Sequence, residues 1–184
     1  MVNNVKIGIT GLPGAGKTYT LRRVIDMLKA DGKLTIGGIN DEKVADEHGR
    51  KTIAMQVTNQ LTGESVQFAK PEFESKIMVG TLGVDLALFE SVSISAIKTA
   101  CEQCDIVIID EVGKVEVESQ AFVDAVNDAL DIDKPMILTL HKKSRNPLLQ
   151  DIRRRDDVRI LEVTPTNRNI LPFKIVSLMK GEYS

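Results

Sequence analysis

Apolar residues at the start of the chain fall first on every second position and then on a helical period. Val5, Ile7 and Ile9 alternate with polar or small neighbours, which predicts a short strand. Leu21, Val24, Ile25 and Leu28 stand at i, i+3, i+4 and i+7, with Arg22, Arg23 and Asp26 opposite, which predicts an amphipathic helix packed on a sheet. Asp31-Gly32-Lys33 ends it, Gly32 suiting the left-handed C-terminal position. Leu34 to Ile39 reads as a second strand, weakened by Gly37-Gly38, and polar Asn40 to Arg50 reads as a loop. Ile53, Met55 and Val57 alternate with polar residues, as do Val66 and Phe68, and the stretch from Asn59 to Glu64 supplies a turn. The expectation is a β-hairpin with one buried face.

The second half returns to a strand–helix rhythm. Gly80 to Asp85 reads as a loop, Leu86 to Phe89 as a short helical turn, and Ser93 as the cap of a helix that places Ala96, Ile97, Ala100 and Cys101 on one face. Ile106-Val-Ile-Ile, an unbroken apolar run, reads as a parallel strand covered on both faces. A helix through Phe122, Ala125, Val126, Ala129 and Leu130 follows, then a strand over Met136 to Leu140. Arg153 to Asp157 reads as a helix C-terminus running into a charged turn. Val158 to Val163 is the last strand, and Leu171, Ile175, Leu178 and Met179 mark the closing helix. The prediction is one α/β domain over residues 1–184. It has three layers, a mainly parallel sheet with helices on both faces, and a β-hairpin inserted over residues 40–80. That insertion has three available roles: a cover for a bound base, a subunit contact, or scaffolding.

Composition narrows the partners. With 42% hydrophobic and 27% charged residues the chain has the makings of a folded core. A net charge of −2 and a pI near 5.8 give no overall basic field, and 4% aromatics leave few stacking platforms, which argues against nucleic acid. No uncharged apolar run reaches the length of a membrane span, and the first strand begins too early for a signal peptide. Two cysteines make no disulfide framework, so the expected location is the cytoplasm. Cys101-Glu-Gln-Cys104 has the form of a redox or metal pair but lacks further ligands nearby, and burial of a small side chain is the alternative.

The chemistry concentrates at two places. Gly11-Leu12-Pro13-Gly14-Ala15-Gly16-Lys17-Thr18, between a strand and a helix, has the form of a phosphate-binding loop. Its glycines let backbone N–H groups close around phosphate oxygens, and the helix N-terminus adds positive potential. Lys17 is placed to reach the β- and γ-phosphates, and the Thr18 hydroxyl to hold Mg²⁺. The second place is Val107-Ile108-Ile109-Asp110-Glu111, counted with the nucleotide site because its acids end a central strand. Asp110 is the candidate metal carboxylate. Glu111 is the candidate activator of water, or otherwise a solvated carboxylate or helix-capping partner.

Several outlying residues are candidates too. Thr139 and His141, at the end of their strand, are candidates for the γ-phosphate or the attacking water, and His141 is otherwise simply hydrogen-bonded. Arg145 and Arg154 are the first candidates for a catalytic arginine, the other reading being an ordinary charged helix end. Asn167 and Arg168 are candidates for the base. His141-Lys-Lys-Ser is not the guanine-reading Asn-Lys-x-Asp, which argues against a switch-type GTPase.

These residues together resemble the small stand-alone nucleoside-triphosphatases of the THEP type over nearly the full length. The resemblance rests on Gly11 to Thr18, on Asp105-Ile-Val-Ile-Ile-Asp-Glu-Val-Gly-Lys114, and on His141 followed by Ile152-Arg-Arg-Arg. Glu162-Val-Thr, Asn167-Arg168 and Leu171-Pro172 are also similar to the family's C-terminal signature. It implies a P-loop core and Mg²⁺-dependent hydrolysis of ATP, GTP and other nucleoside triphosphates to diphosphates. The match is poorest over Ile39 to His48. Two rivals remain at this stage: a nucleoside or nucleotide kinase with an acceptor pocket in residues 40–80, and a nucleotide-gated binding module. No protein partner is named by the sequence.

Overall fold

Alternation along one strand builds two cores. The computed structural model describes residues 2–181. In it β7 (Ile106–Val112) sends Val107 and Ile109 to one face of the sheet and Ile106 and Ile108 to the other, all four fully buried. The flanking strands alternate in step. Ile7 and Ile9 of β1 (Lys6–Gly11) join Ile106 and Ile108, while Leu138 and Leu140 of β8 (Met136–His141) join Val107 and Ile109. Helices cover both faces. α1 (Lys17–Lys29) and α5 (Leu171–Lys180) close one core, and α2 (Leu86–Gln103), α3 (Gln120–Leu130) and α4 (Pro147–Arg154) close the other.

The remaining strands are β2 (Ile36–Ala45), β3 (Thr52–Asn59), β4 (Ser65–Lys70), β5 (Met78–Val79), β6 (Leu82–Val84) and β9 (Val158–Glu162). All nine form one sheet in the order β5-β6-β4-β3-β2-β7-β8-β1-β9. The expected mainly parallel sheet is corrected to a mixed one. β2, β7, β8, β1 and β9 pair in parallel, whereas β2, β3, β4, β6 and β5 pair antiparallel. The expected turn near Gly63 joins β3 to β4, and these strands extend the sheet edgewise and pack under α2 rather than over the phosphate loop.

Three local expectations fail for identifiable reasons. Asn40 to Ala45 is strand, because β2 pairs with β7 through Asn40 and with β3 from Ile39 to Ala45, so the ladder satisfies its backbone despite the polar side chains. Residues 82–84 are strand because β4 and β5 both bond them. α2 is one helix beginning after Asp85, whose carboxylate accepts the Leu88 N–H at 3.1 Å, and Ser93 is buried within it instead of capping a separate helix. Cys104 is the buried cysteine and Cys101 is half-buried. No helix of the described residues is long and apolar enough to cross a membrane.

The antiparallel half is fastened by aromatics. Phe89 of α2 lies 5.1 Å from the Phe68 ring and 5.3 Å from the Phe122 ring, tying β4, α2 and α3 together. All three rings are buried. Phe89→Ala is expected to cost about 3–5 kcal/mol, measured by urea unfolding, because the flanking rings cannot collapse into the gap.

Candidate active site

Parallel register carries three strand ends to one edge. Gly11 at the end of β1 pairs with His141 at the end of β8, and β8 in turn flanks β7. Chain after β1 turns through Leu12 to Gly16 into α1, with positive φ at Gly14 (79°) and Gly16 (115°), conformations that a side chain would strain. Gly16 is also the N-cap residue of α1, with no side chain to cap the helix, so its first N–H groups stay open to a ligand. Ala15 is buried, Leu12, Pro13, Gly14 and Thr18 are exposed, and Lys17 donates to the Gly11 carbonyl at 2.9 Å. A cleft of about 210 Å³ runs along Leu12 to Ala15 and Glu162 to Pro165.

Asp110 ends the dry part of β7. Burial pushes its carboxyl up to about 7, and the nearby Glu111 and Glu116 charges push the same way. The Thr139 hydroxyl, donating to Asp110 Oδ1 at 2.5 Å, and the Arg22 charge oppose them. The peptide bond between Asp110 and Glu111 is cis. A buried carboxylate with one hydroxyl donor suits a cation, and together with the Thr18 hydroxyl it offers oxygen ligands only, the set that hard divalent ions take. Among the described residues no three His, Cys, Asp or Glu side chains form a metal-holding group. A magnesium ion sharing one or two protein oxygens with substrate phosphates requires no such cage.

Glu111 is half-buried beside Asp110, and His141 lies within reach of its field. Burial lowers the His141 pKa, Glu111 raises it, and Lys114, Lys17 and Arg153 lower it further. The imidazole is therefore held neutral, and among the described residues its buried Nδ1 has no hydrogen-bond partner. Arg153 donates to the carbonyls of His141 (2.5 Å), Ser144 (2.9 Å) and Lys142 (3.1 Å), which fixes the loop after β8.

Other expected residues are placed elsewhere. Val107, Ile108 and Ile109 are fully buried in the two cores, so they carry Asp110 to the edge and do not reach a ligand themselves. Thr139 is fully buried and holds Asp110 rather than a phosphate or a water. Arg154 is exposed on α4 and bonds Gln150, and Arg145 is exposed at the foot of that helix. Neither is among the charges acting most strongly on His141 or Asp110. Asn167 spends its amide on a turn, donating to the Glu162 carbonyl and accepting from the Thr164 N–H. Arg168 does lie over the loop, with its Cβ and Cδ each 3.3 Å from where a Gly16 Cβ would stand.

The sequence reading missed Asp41 and Glu116. β2 pairs Asn40 with Asp110, so Asp41 arrives beside the β7 acids. Among the described residues no N–H or hydroxyl donates to either buried oxygen of Asp41, and its partner is the buried Glu116 carboxyl. Burial, the shared hydrogen bond and the Glu116, Asp110 and Glu111 charges drive Asp41 well above the usual carboxylate range. Burial pushes Glu116 up as well, but the hydrogen bond between them raises Asp41 and lowers Glu116, so Asp41 is the member of the pair that holds its proton to higher pH.

The family model described as NTPase matches residues 6–176. Nucleoside-triphosphatase THEP1 of Thermoplasma volcanium is 42% identical over 97% of this chain and 98% of its own length, and that of Thermotoga maritima is 34% identical over 96% of each. The crystal structure of THEP1 from Aquifex aeolicus superposes with a TM-score of 0.84 at 31% identity, covering 96% of this chain and 99% of that one. The solution structure of a human cancer-related nucleoside triphosphatase gives 0.80 at 29% identity, covering 98% and 100%.

The Asp41 proton yields a stability test. A carboxyl raised in the folded state keeps a proton that the unfolded chain releases, so stability falls as pH rises from about 4 toward the folded value. Asp41→Asn keeps the hydrogen bond to Glu116 without a titratable proton. Between pH 5 and pH 6 the metal-free wild type is expected to lose more stability than the variant, by urea unfolding. Parallel losses would mean that Asp41 is ionised.

Proposed function

The chain belongs to the nucleoside-triphosphatase THEP1 family and is a nucleoside-triphosphatase, and from that premise we propose how its own residues carry out the hydrolysis. The substrates are ATP, GTP and other nucleoside 5′-triphosphates, the products are the diphosphate and inorganic phosphate, and the cofactor is Mg²⁺. The chain works as one domain in which residues 40–80 are an insertion building the far half of the sheet. Its two free thiols suit a reducing cytoplasm.

One observation carries the reading. The register of β1, β8 and β7 brings the Gly11–Thr18 loop and the Asp110–Glu111 pair, some ninety residues apart, to the same sheet edge. Loop amides and Lys17 bind the β- and γ-phosphates. Thr18 and Asp110 hold Mg²⁺, which when bound draws charge from the phosphate oxygens. Thr139 orients Asp110 for that task. Glu111 accepts the proton of the attacking water as its oxygen approaches the γ-phosphorus and the bond to the β-phosphate oxygen breaks. His141, held neutral, orients that water through a hydrogen bond. Little covalent chemistry is asked of the protein, and positioning with electrostatics does the rest. Arg168 flanks the nucleotide where it leaves the loop and meets the base.

A kinase reading loses support from the same map. The larger hollow, about 470 Å³, includes Phe73, Ile77 and Leu86. It adjoins β6, four strand positions from β7, and at about 4.8 Å per strand the two strands lie roughly 19 Å apart in the sheet. An acceptor bound there does not meet a γ-phosphate.

Phosphate release without any acceptor tests the assignment. Glu111→Gln is expected to lower kcat by about 10²–10⁴ with nucleotide binding retained, and Lys17→Ala to weaken binding of the triphosphate itself. Equal rates for wild type and Glu111→Gln would remove Glu111 from the mechanism.

A further inference from the structure

We propose that Lys114 is a catalytic residue of this site, the cation supplied from within the same chain that neutralises charge developing on the γ-phosphate oxygens. The inference rests on the hydrolase reading above and adds a residue to it.

Phosphoryl transfer spreads charge over the equatorial oxygens of the moving group, and a cation there beyond the loop lysine commonly supplies much of the rate. The arginines that the sequence offers are either engaged or stand elsewhere: Arg145 is exposed at the foot of α4 and is not among the charges acting most strongly on His141, and Arg168 lies over Gly16 at the other side of the loop. Arg153 is bound to three carbonyls, Arg155 to Asp157, Asp131 and the Leu130 carbonyl, and Arg22 pairs with Glu42. Arg154 is turned to Gln150, and Lys142 pairs with Glu162.

Lys114 is different. Its ammonium makes no ion pair or hydrogen bond among the described residues, and it is exposed. Strand register sets its place. Val112 pairs with Leu140, the residue before His141, and Gly11 pairs with His141, so the chain leaving β7 emerges beside the end of β8, with His141 between it and the Lys17 loop. Gly113 then passes beneath the acids. A Cβ there would stand 2.5 Å from Glu111 Oε1 and 2.6 Å from Glu116 Oε2, so glycine lets the chain pass close to both carboxylates without displacing either. Lys114 follows at once. The charges that act on His141 are those of Glu111, Lys114, Lys17 and Arg153, which puts Lys114 and Lys17 around the same imidazole.

The step needs nothing further. Water oxygen bonds to the γ-phosphorus, the bond to the bridging β-oxygen breaks with its electron pair staying on the diphosphate, and the water proton goes to Glu111. Lys114 donates hydrogen bonds to the γ-oxygens and changes no bond of its own.

The test uses full-length wild type, Lys114→Ala, Lys114→Gln and Lys114→Arg, each checked by thermal melt. ATP hydrolysis is read as kcat and KM, and affinities are measured for a non-hydrolysable ATP analogue and for ADP with aluminium fluoride, both with Mg²⁺. The expected result is a kcat loss of about 10²–10³ for Ala and Gln, with most of it restored by Arg. KM and analogue affinity stay within threefold, while the aluminium fluoride complex weakens in step with kcat. A kcat within threefold of wild type, or equal weakening of both ligands, would overturn the inference. If wild type itself hydrolyses no nucleoside triphosphate, the broader hydrolase reading fails instead, and the two failures are distinguishable.

Discussion

A carboxylate at the end of a dry strand governs the arrangement of this molecule. Asp110 is carried to the sheet edge by four fully buried residues, and one hydroxyl is its hydrogen-bond donor. In surroundings of low polarity an anion so placed is costly unless a cation or more donors reach it, and here burial has already lifted its pKa close to neutrality. Much of the neighbourhood follows from that constraint. Thr139 gives up its accessibility to orient the group, the charge of Arg22, itself paired with Glu42 at the surface, bears on it from outside, and the loop between β1 and α1 puts a hydroxyl and a lysine within the same edge. The acids crowded behind it answer the same problem by sharing: burial pushes both Asp41 and Glu116 up, and the hydrogen bond between them raises Asp41 further while it lowers Glu116.

The sheet divides its labour at β2. Toward β7 its first half is parallel and belongs to the part of the sheet that carries Asp110 and Glu111. From Ile39 onward it also pairs antiparallel with β3, and that side of the sheet is fastened to α2 by the Phe68–Phe89–Phe122 stack. The residues at this handover therefore answer to two structures at once. Asn40 pairs across to Asp110 on one side and to Thr58 on the other, and Asp41 is pressed against the acids as a result.

What the sequence revealed is what local chemistry writes into it. Gly11 to Thr18 is legible as a candidate phosphate loop because close backbone approach to phosphate tolerates few residues, and Asp110 becomes a candidate only with that loop upstream, since a strand ending in an acid is common by itself. The two-faced burial of Ile106 to Ile109 and the period of α1 were likewise readable from local chemistry. Asp41 was not. Its strand is polar where it leaves the covered centre, so alternation is absent and only pairing with distant partners makes it a strand. Glu116 was hidden similarly, since a lone acid in a short turn after β7 acquires meaning only when Asp41 meets it. The start of α2 was misplaced because Asp85 and Ser93 are both competent caps, and the choice depends on β6 ending at Val84.

The bond between the Lys17 ammonium and the Gly11 carbonyl makes recognition an exchange rather than an addition. An incoming oxygen has to outcompete an amide oxygen that already occupies the lysine. A neutral carbonyl or hydroxyl gains almost nothing by the trade, whereas an anionic oxygen forms a bond roughly twice as strong. The loop thus keeps its shape through its own lysine, and the same contact screens out uncharged molecules that merely fit.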